Sequence, residues 1–376
     1  MLRNFSYIIQ SLFFFLSGLI KKRKYDVVFY YPQHFNRGVH NKNQFFKQLL
    51  LSCDKNNISY IIFEEPDFLI KSNRNSKTTP FDFIYLAIIL LRKLYSSEMS
   101  IQLKDQKIGR FIAKVFFRKF IFTHYITLSQ SMLSIFKGIN PNAKLYDLQH
   151  GIIHNNKKNY LVNGVAESNL LENNANLLLS GESYKDLLVT NDKSNYFQSH
   201  TFVIGGHVFS SDFIHQKFND NVLITLQFTH DHSDKQNTIL LNELKEFVFS
   251  VDTKVNFYLK HHPRFNNEVD LSEILELPNT HFAPDDINEC FKLCSLHATT
   301  YSTSAFEASL SGIPTILIHS QNELNFFKTD FIYPLHYGIS DFKDITVYQK
   351  SAEIVKSWDK EYYSPYNEST FLNLLK

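Results

Sequence analysis

The densest group of chemically useful side chains lies between residues 299 and 318. A polar turn, Ser302-Thr303-Ser304, opens a short helix, and Gly312-Ile313-Pro314 ends it before a buried strand. Ser304 and Glu307 have the spacing of a capping box, which satisfies amides of the first helical turn. Hydroxyls and amides at such a helix start can bind a phosphate, and the Glu307 carboxylate can bind a ribose. The segment therefore predicts either a nucleotide-sugar site or an ordinary capped helix.

A second polar group, His261-His262-Pro263-Arg264, follows a predicted strand at residues 255–259. His262 can donate a hydrogen bond to a phosphate, and the planar guanidinium of Arg264 can bind a phosphate through two parallel hydrogen bonds. The group could also be a solvated loop. Its place in the same half of the chain as Ser302 favours a shared site.

A third candidate, His150, follows a predicted strand at residues 143–148 and sits between Gln149 and Gly151. An unperturbed imidazole titrates close to working pH and can act as a general base on an acceptor hydroxyl. The alternative is a histidine that hydrogen-bonds its own loop. Glycine at such a turn permits close approach of a ligand, which favours the functional interpretation.

Three lesser loops carry polar or glycine residues after predicted strands. Asn36 and Arg37 could line a cleft or lie in solvent, and Gly205 could form a hinge or a simple turn. His230-Asp231-His232 resembles a metal-ligand cluster, but no third spaced ligand accompanies it. We therefore expect no metal and no cofactor, and interpret this loop as cleft-lining.

Composition limits the function classes. A chain of 376 residues with 44% hydrophobic content can form two domains. A net charge of +2 does not by itself indicate a nucleic-acid-binding protein. Cys53, Cys290 and Cys294 are too few and too irregularly spaced for a disulfide framework, which favours the cytoplasm. Cys290 and Cys294 are one helical turn apart and are expected to face a core.

Residues 1–24 differ from the rest of the chain. Phe5 to Ile20 is uncharged and largely apolar, and Lys21-Lys22-Arg23-Lys24 follows directly. The run is shorter than the roughly 20 apolar residues of a spanning helix. It could lie on the inner face of the cell membrane with its basic end against anionic headgroups, or pack on the first domain.

Alternation of predicted strands and helices indicates two α/β domains, each with a doubly wound parallel sheet, that face a cleft. We place the first, acceptor-side domain at residues 25–212 and the second, donor-side domain at residues 213–376. In such sheets ligands bind beyond the carboxyl ends of the strands. The main predicted strands lie near residues 25–31, 59–63, 143–148, 176–179, 201–204, 222–226, 255–259 and 315–318, and the main predicted helices at 44–52, 81–95, 108–122, 238–249 and 287–293.

Together these residues resemble the GT-B glycosyltransferases of bacterial capsule and surface-polysaccharide synthesis. The chain is similar to the capsule Kdo and sialic acid transferases and to the CDP-glycerol glycerophosphotransferases. His262-Pro263 resembles their donor-binding His-Pro motif, and Ser302-Thr303-Ser304 resembles their hydroxyl pair near the donor phosphate. Glu307 with Gly312-Ile313-Pro314 is similar to the GT-B Glu…Gly-x-Pro pattern. His150-Gly151 resembles the His-Gly of the glycerophosphotransferases, whose histidine is a proposed base.

The resemblance implies a metal-independent transferase that moves a sugar from a CMP-, CDP- or UDP-linked donor to a glycan or lipid-linked acceptor. His262, Arg264, Ser302, Thr303 and Ser304 would contact the donor phosphate. Glu307 would hold the ribose and His150 would be the base. Two alternatives remain open at this point: a nucleotide-sugar 2-epimerase, and a non-catalytic subunit of a polysaccharide assembly complex.

Overall fold

The chain forms two compact units. The structure, a computed structural model, describes residues 2–36, 43–68, 74–95, 98–155, 157–206, 215–229, 232–251, 254–262, 265, 268–318 and 326–376. Unit 1 comprises residues 1–153, 157–208 and 365–376, and unit 2 comprises residues 154–156 and 209–364.

Unit 1 is built on a parallel sheet of seven strands in the order β11-β10-β7-β6-β2-β3-β4. The first long strand, β2, is buried on both faces, as expected of a strand covered by helices on both sides. The strands are β1 (Arg23–Lys24), β2 (Val27–Pro32), β3 (Tyr60–Glu65), β4 (Thr79–Pro80), β5 (Phe120–Ile121), β6 (His124–Leu128), β7 (Lys144–Leu148), β8 (Leu161–Val162), β9 (Val165–Ala166), β10 (Asn176–Leu179) and β11 (Thr201–Val203). The helices are α1 (Leu2–Ile20), α2 (Lys47–Lys55), α3 (Asp82–Leu94), α4 (Ile101–Val115), α5 (Leu133–Ile139), α6 (Ser168–Asn173), α7 (Glu182–Asn191) and α8 (Tyr196–His200), with a 3₁₀ turn at Gln33–Phe35.

Unit 2 contains a parallel sheet of five strands in the order β14-β13-β12-β15-β16. Cys290 and Cys294 are free thiols in its core, so the prediction that they face a core is confirmed. The strands are β12 (Asn221–Thr225), β13 (Asn256–Lys260), β14 (Thr280–Phe282), β15 (Leu296–Thr299) and β16 (Thr315–Leu317). The helices are α9 (Asp234–Phe249), α10 (Ser272–Leu275), α11 (Ile287–Leu293), α12 (Ser304–Leu310), α13 (Phe326–Thr329) and α14 (Ile345–Tyr362), with a 3₁₀ segment at Ile339–Lys343.

The last helix, α15 (Glu368–Leu374), belongs to unit 1, which corrects the assignment of residues 213–376 to one domain. Phe371 is fully buried in the core of unit 1 beside the central strands. The Asn367 amide donates to the Ile204 carbonyl at 2.7 Å. Because these contacts bury the last residues against unit 1, the chain returns to the unit in which it began.

The predicted helix at residues 108–122 is wrong in its bounds. Helix α4 begins earlier, at Ile101, and ends at Val115. The predicted range includes β5, in which Phe120 and Ile121 are extended and not helical. Strand β6 begins at His124, after the predicted range, and its five residues are all buried in the sheet. Short apolar runs fit a helix or a strand equally well, so periodicity did not separate β5 from the helix before it.

Helix α1 packs on unit 1 along one side only. Phe15 is 1% exposed and its ring contacts those of Phe63, Phe81 and Phe117. The Ser11 hydroxyl accepts a hydrogen bond from the Phe83 amide at 3.1 Å. This agrees with the packed alternative for residues 1–24, although the opposite side of α1 is exposed. Among the described helices, none has the length and apolar character needed to cross a bilayer.

Helices α4 and α5 cross so closely that a side chain at Gly109 has no room. A Cβ there would overlap the Ile135 carbonyl oxygen and lie 2.9 Å from the Gly138 Cα. We expect Gly109→Ala to lower the free energy of unfolding by about 1–3 kcal/mol, the usual cost of overpacking. Urea unfolding followed by far-UV circular dichroism measures this change.

The matched control is Gly18→Ala in helix α1. A Cβ at Gly18 would meet only the Phe116 carbonyl oxygen, at 3.9 Å. Alanine is the better helix former, so this variant should match the parent or gain up to about 1 kcal/mol. Equal effects of the two substitutions would contradict the close crossing at Gly109.

Candidate functional site

The candidate donor residues of unit 2 follow two strands, β13 and β15, that flank β12 in its sheet. In a doubly wound sheet, ligands bind beyond the carboxyl ends of the strands, where the strand order reverses. In unit 2 this point lies between β12 and β15, with β13 on the other side of β12. Ser302 to Ser304 follow β15, and His262 follows β13. The fold thus brings both sequence-predicted groups to the same sheet edge.

A buried histidine in β15, which the sequence did not single out, organises this edge. The His297 side chain is fully buried. Its Nε2 lies 2.9 Å from the Thr225 hydroxyl and 3.2 Å from the Ser304 hydroxyl, and its Nδ1 lies 2.9 Å from the Thr315 hydroxyl. Burial lowers the pKa of His297 to about 3, so the ring is neutral, with one donor and one acceptor nitrogen. This network fixes the start of α12 relative to three strands.

The structure corrects the predicted capping box of Ser304 and Glu307. Helix α12 begins at Ser304, and its N-cap residue, Thr303, makes no side-chain capping bond. Instead the Ser302 hydroxyl accepts from the Ser304 amide at 3.2 Å. The Ser304 hydroxyl lies 2.9 Å from that of Thr225 inside the protein, because a buried hydroxyl needs a partner there. Ser302 and Thr303 are only half-buried at the same edge.

Glu307 is the titratable group of α12. Burial, and next the nearby Asp359 carboxylate of α14, raise the pKa of Glu307 to about 8. The carboxyl is therefore largely protonated at neutral pH and can both donate and accept hydrogen bonds. A carboxyl perturbed in this way at a ligand-binding sheet edge is a candidate functional group.

Gly312 ends α12 for a steric reason. Its φ is +70°, and a Cβ would lie 2.6 Å from Cε of Lys356. The Ile313 amide donates to the Ala308 carbonyl at 2.8 Å, which closes the last helical turn. The Gly-Ile-Pro sequence therefore turns the chain into β16, and its role in this structure is to shape the backbone.

The two histidines that follow β13 lie in different surroundings. The His261 ring lies 3.8 Å from the Phe265 ring and 5.2 Å from the Phe282 ring. Burial and then the Lys260 charge lower the pKa of His261. His262 is half-buried beyond the end of the strand, and Pro263 and Arg264 lie outside the described residues. Of the group, His262 is the histidine that remains a candidate ligand.

A hydrogen bond links the loops that follow β12 and β15. The Tyr301 hydroxyl lies 2.6 Å from Nε2 of His232. His230 and Asp231, also named in the predicted loop, lie outside the described residues. No sequence signal marked Tyr301, since a tyrosine before a Ser-Thr-Ser turn has no periodicity or spacing of its own. The bond joins the two loops at the point where the strand order of unit 2 reverses.

In unit 1, His150 follows β7 and is half-buried. Its ring stands edge-on to the rings of Phe35 and Phe45, with centroids 5.1 and 6.5 Å away. These aromatic rings orient the imidazole at the carboxyl edge of the unit 1 sheet. A histidine held in this way can take a proton from a hydroxyl placed beside it.

The neighbours of His150 have different roles. Gln149 is buried, and its side-chain oxygen accepts from the Ser180 amide and hydroxyl at 3.0 and 2.9 Å. Its side-chain nitrogen donates to the Gly151 carbonyl at 3.0 Å. These hydrogen bonds of Gln149 stabilise the loop that follows β7. A Cβ at Gly151 would meet nothing within 4 Å. The protein itself therefore leaves room for a side chain at residue 151, and the close approach of a ligand to Gly151 stays a prediction.

The other predicted cleft-lining residues are placed at the same end of the unit 1 sheet. Asn36 is buried after β2, and Gly205 follows β11, where its amide donates to the Leu179 carbonyl at 3.2 Å. Arg37 lies outside the described residues. Their predicted role as cleft-lining residues stays a prediction.

The sequence did not predict the strained turn that follows β6. Ser129, Gln130 and Met132 have φ values of 58°, 54° and 55°, which are unfavourable for residues with a side chain. The buried Asp147 carboxylate accepts from the Gln130 amide at 2.8 Å and holds the turn. Burial raises the pKa of Asp147 to about 7. The turn contains no glycine or asparagine, so the sequence carried no signal for it.

The sequence matches no protein-family model and no curated protein. Solved structures do resemble the fold. The wall teichoic acid polymerase TagF matches with a TM-score of 0.52 at 10% identity, over 100% of this chain and 97% of that chain. MnaA from S. aureus, solved with UDP, matches with a TM-score of 0.51 at 11% identity, over 93% and 95%. A Listeria monocytogenes protein assigned as a UDP-N-acetylglucosamine 2-epimerase matches with a TM-score of 0.50 at 13% identity, over 94% of each chain.

At these identities the likeness shows the fold alone. The predicted class, α/β and GT-B-like with two Rossmann-type doubly wound sheets, is confirmed.

The raised pKa of Glu307 makes the stability of unit 2 depend on pH. The folded state binds the proton more tightly than the unfolded state, so this stabilisation is complete below a pH of about 4.5 and is lost as pH rises through about 8. Glu307→Gln, which stays neutral, should match the parent at acidic pH. Above pH 8 it should be more stable than the parent by several kcal/mol, because each tenfold difference in proton affinity between the folded and unfolded states corresponds to about 1.4 kcal/mol.

Fluorescence of Trp358, the single tryptophan, measures this change within unit 2, since its ring stacks on Phe306 at 4.7 Å. The control is Glu353→Gln on the exposed side of α14, where we expect no pH-dependent gain. Parallel stability curves for the parent and Glu307→Gln across this pH range would contradict the raised pKa.

Proposed function

We propose that the protein is a glycosyltransferase that moves a sugar from a nucleotide-activated donor to a growing bacterial surface glycan. The observation that carries the proposal is the set of polar groups at the carboxyl edge of the unit 2 sheet. His262 follows β13, and the half-buried Ser302 and Thr303 with protonated Glu307 follow β15; these two strands flank β12 in a GT-B-like fold. Such edges are where doubly wound sheets bind nucleotides.

Each donor-side residue has a proposed task. His262, Arg264, Ser302 and Thr303 bind the donor phosphates, and Glu307 binds the ribose hydroxyls. The Ser304 hydroxyl is hydrogen-bonded to Thr225 and His297 inside the protein, and these bonds hold the turn in position. Fixed donors and a guanidinium can stabilise the charge on the departing phosphate oxygen without a metal.

His150 is the proposed base. It takes the proton from the acceptor hydroxyl while the acceptor oxygen forms a bond to the anomeric carbon of the sugar. The bond between that carbon and the phosphate oxygen breaks, and the nucleotide leaves with the electron pair. The orientation of the imidazole by Phe35 and Phe45 supports this role.

Thermal unfolding with CMP, CDP, UDP, GDP and ADP tests for a donor site. A ligand that binds only the folded state raises the melting temperature. We expect one nucleotide to give a selective increase. A selective CMP response supports a Kdo or sialic acid donor, and UDP or GDP supports a hexose donor. If no nucleotide raises the melting temperature, the donor site as proposed is wrong and a non-catalytic subunit is favoured.

Two histidine variants separate donor binding from chemistry. His262→Ala should lose both nucleotide binding and turnover, because it removes a phosphate ligand. His150→Ala should keep nucleotide binding and lose about 10²–10⁴-fold in turnover, the usual contribution of a general base. Binding is measured by calorimetry and turnover by nucleotide release in the presence of acceptor glycan.

The control for these variants is His281→Ala, an exposed histidine in β14 of unit 2, which should retain both properties. Full turnover in both test variants would refute the assigned roles. Conversion of the donor sugar without any acceptor would point to the epimerase instead.

Nucleotide binding should also release a proton near neutral pH. Ribose hydroxyls that donate to Glu307 favour its ionised form, which lowers a pKa that stands at about 8 in the free protein. Calorimetry at a pH of about 7.5 in two buffers of different ionisation enthalpy should detect a fraction of a proton released. In Glu307→Gln this release should disappear, and an unchanged release would exclude Glu307 as the ribose ligand.

A further inference from the structure

Positive charge is concentrated in two segments of unit 1. Residues 1–24 and 82–119 together contain thirteen lysines and arginines and three acidic residues. The rest of the chain contains twenty-six basic and thirty-four acidic residues. The two segments together therefore carry a net charge of +10, and the rest of the chain carries −8. Two of the three acids are in ion pairs: Asp82 with Arg74 at 2.7 Å and Asp105 with Arg92 at 2.6 Å. These segments form α1, α3, α4 and the residues that follow them.

The outer side of α1 is apolar and uncovered by unit 1. Phe13 is 67% exposed and Ile20 is 83% exposed, and Phe5 and Leu16 are exposed on the same side of the helix. Their spacing of three, four and eight residues places them in one stripe, opposite the buried Phe15. A stripe of large apolar side chains on a helix rarely stays in water without a partner.

The basic residues that follow α1 and α4 lie side by side. The Lys119 ammonium donates to the Ile20 carbonyl at 3.0 Å. Strand β1 pairs in parallel with β5, which brings Lys21 to Lys24 next to the segment that includes Arg118 and Lys119. The exposed end of the apolar stripe is thus bordered by lysines and arginines from two separate segments.

Helices α3 and α4 also expose both apolar and basic side chains. Leu90, Leu94 and Phe111 are at least half exposed. On α4, a groove of about 490 Å³ is lined by Lys107, Arg110 and Lys114 and by no acidic residue. We call the outer side of α1, residues 21–24, and the outer sides of α3 and α4 the basic helical face.

We propose that the basic helical face docks on an anionic lipid bilayer. The apolar stripe of α1 enters the boundary between headgroups and acyl chains, and the surrounding lysines and arginines bind lipid phosphates. A second copy of the chain would bring like charges together, and a nucleic acid offers no apolar layer for Phe13 and Ile20. The inference goes beyond the proposed transfer reaction, since lipid binding requires neither donor nor acceptor.

Sedimentation of the 376-residue protein with lipid vesicles tests the proposal. We expect binding to phosphatidylcholine vesicles that contain phosphatidylglycerol and about fivefold weaker binding for each cation removed from the face. Lys21→Glu combined with Lys22→Glu should thus lose more than tenfold in binding, and Phe13→Ser combined with Ile20→Ser should lose a comparable amount. Added salt should weaken the binding of the parent.

Matched controls lie on unit 2. Lys350→Glu with Lys360→Glu, and Ile239→Ser with Ile345→Ser, change exposed residues of the same types and should leave vesicle binding unchanged. Unfolding curves confirm that every variant is folded.

Equal binding to vesicles with and without phosphatidylglycerol would overturn the proposal. So would equal losses in the test and control variants, or binding to a polyanion such as RNA without binding to vesicles. Failure of the folded parent protein to bind any nucleotide bears only on the proposed transfer reaction, so the two proposals fail separately.

Discussion

The candidate donor site depends on the hydrogen bonds of one buried imidazole. A neutral ring in a dry environment must find a donor and an acceptor, and His297 finds them in hydroxyls from β12, β16 and the start of α12. Because the hydroxyl of Thr225 also bonds that of Ser304, no member of this group can move without leaving another unsatisfied. The turn that presents Ser302 and Thr303 is therefore fixed by groups that are themselves removed from solvent.

Helix α14 provides the second support of this region. Its Trp358 stacks on Phe306 of α12, and its Asp359 carboxylate adds to the effect of burial in raising the pKa of Glu307. Lys356 approaches Gly312, where α12 ends. One helix thus packs on α12, borders its terminus and contributes to the protonation of its carboxyl. A titratable group whose pKa is shifted by its surroundings is a usual feature of functional sites.

The sequence predicted well those features that depend on local pattern. Strand Asn176–Leu179 and helix Ile287–Leu293 were located to the residue. The strand ends at Ser180-Gly181, and the helix carries Ile287, Cys290, Phe291 and Cys294 at the spacing of one helical face. The role of Ser304 was not predictable, since its spacing to Glu307 suits a capping box as well as the buried bond to Thr225. His297 lies in a strand without a motif, and two of its three partners are 72 and 18 residues away. Long-range hydrogen bonds leave no trace in local spacing.

The placement of α15 has a consequence for synthesis of the chain. Phe371 fills the core of the first unit, so that unit cannot complete its packing on the ribosome until residues 365–376 have been made. Residues 209–364 emerge earlier and contain the whole five-stranded sheet of the second unit. Domains usually fold in the order in which they are translated. In this protein the unit that begins first is the last to be finished, and until then it exposes the apolar surface that α15 will cover.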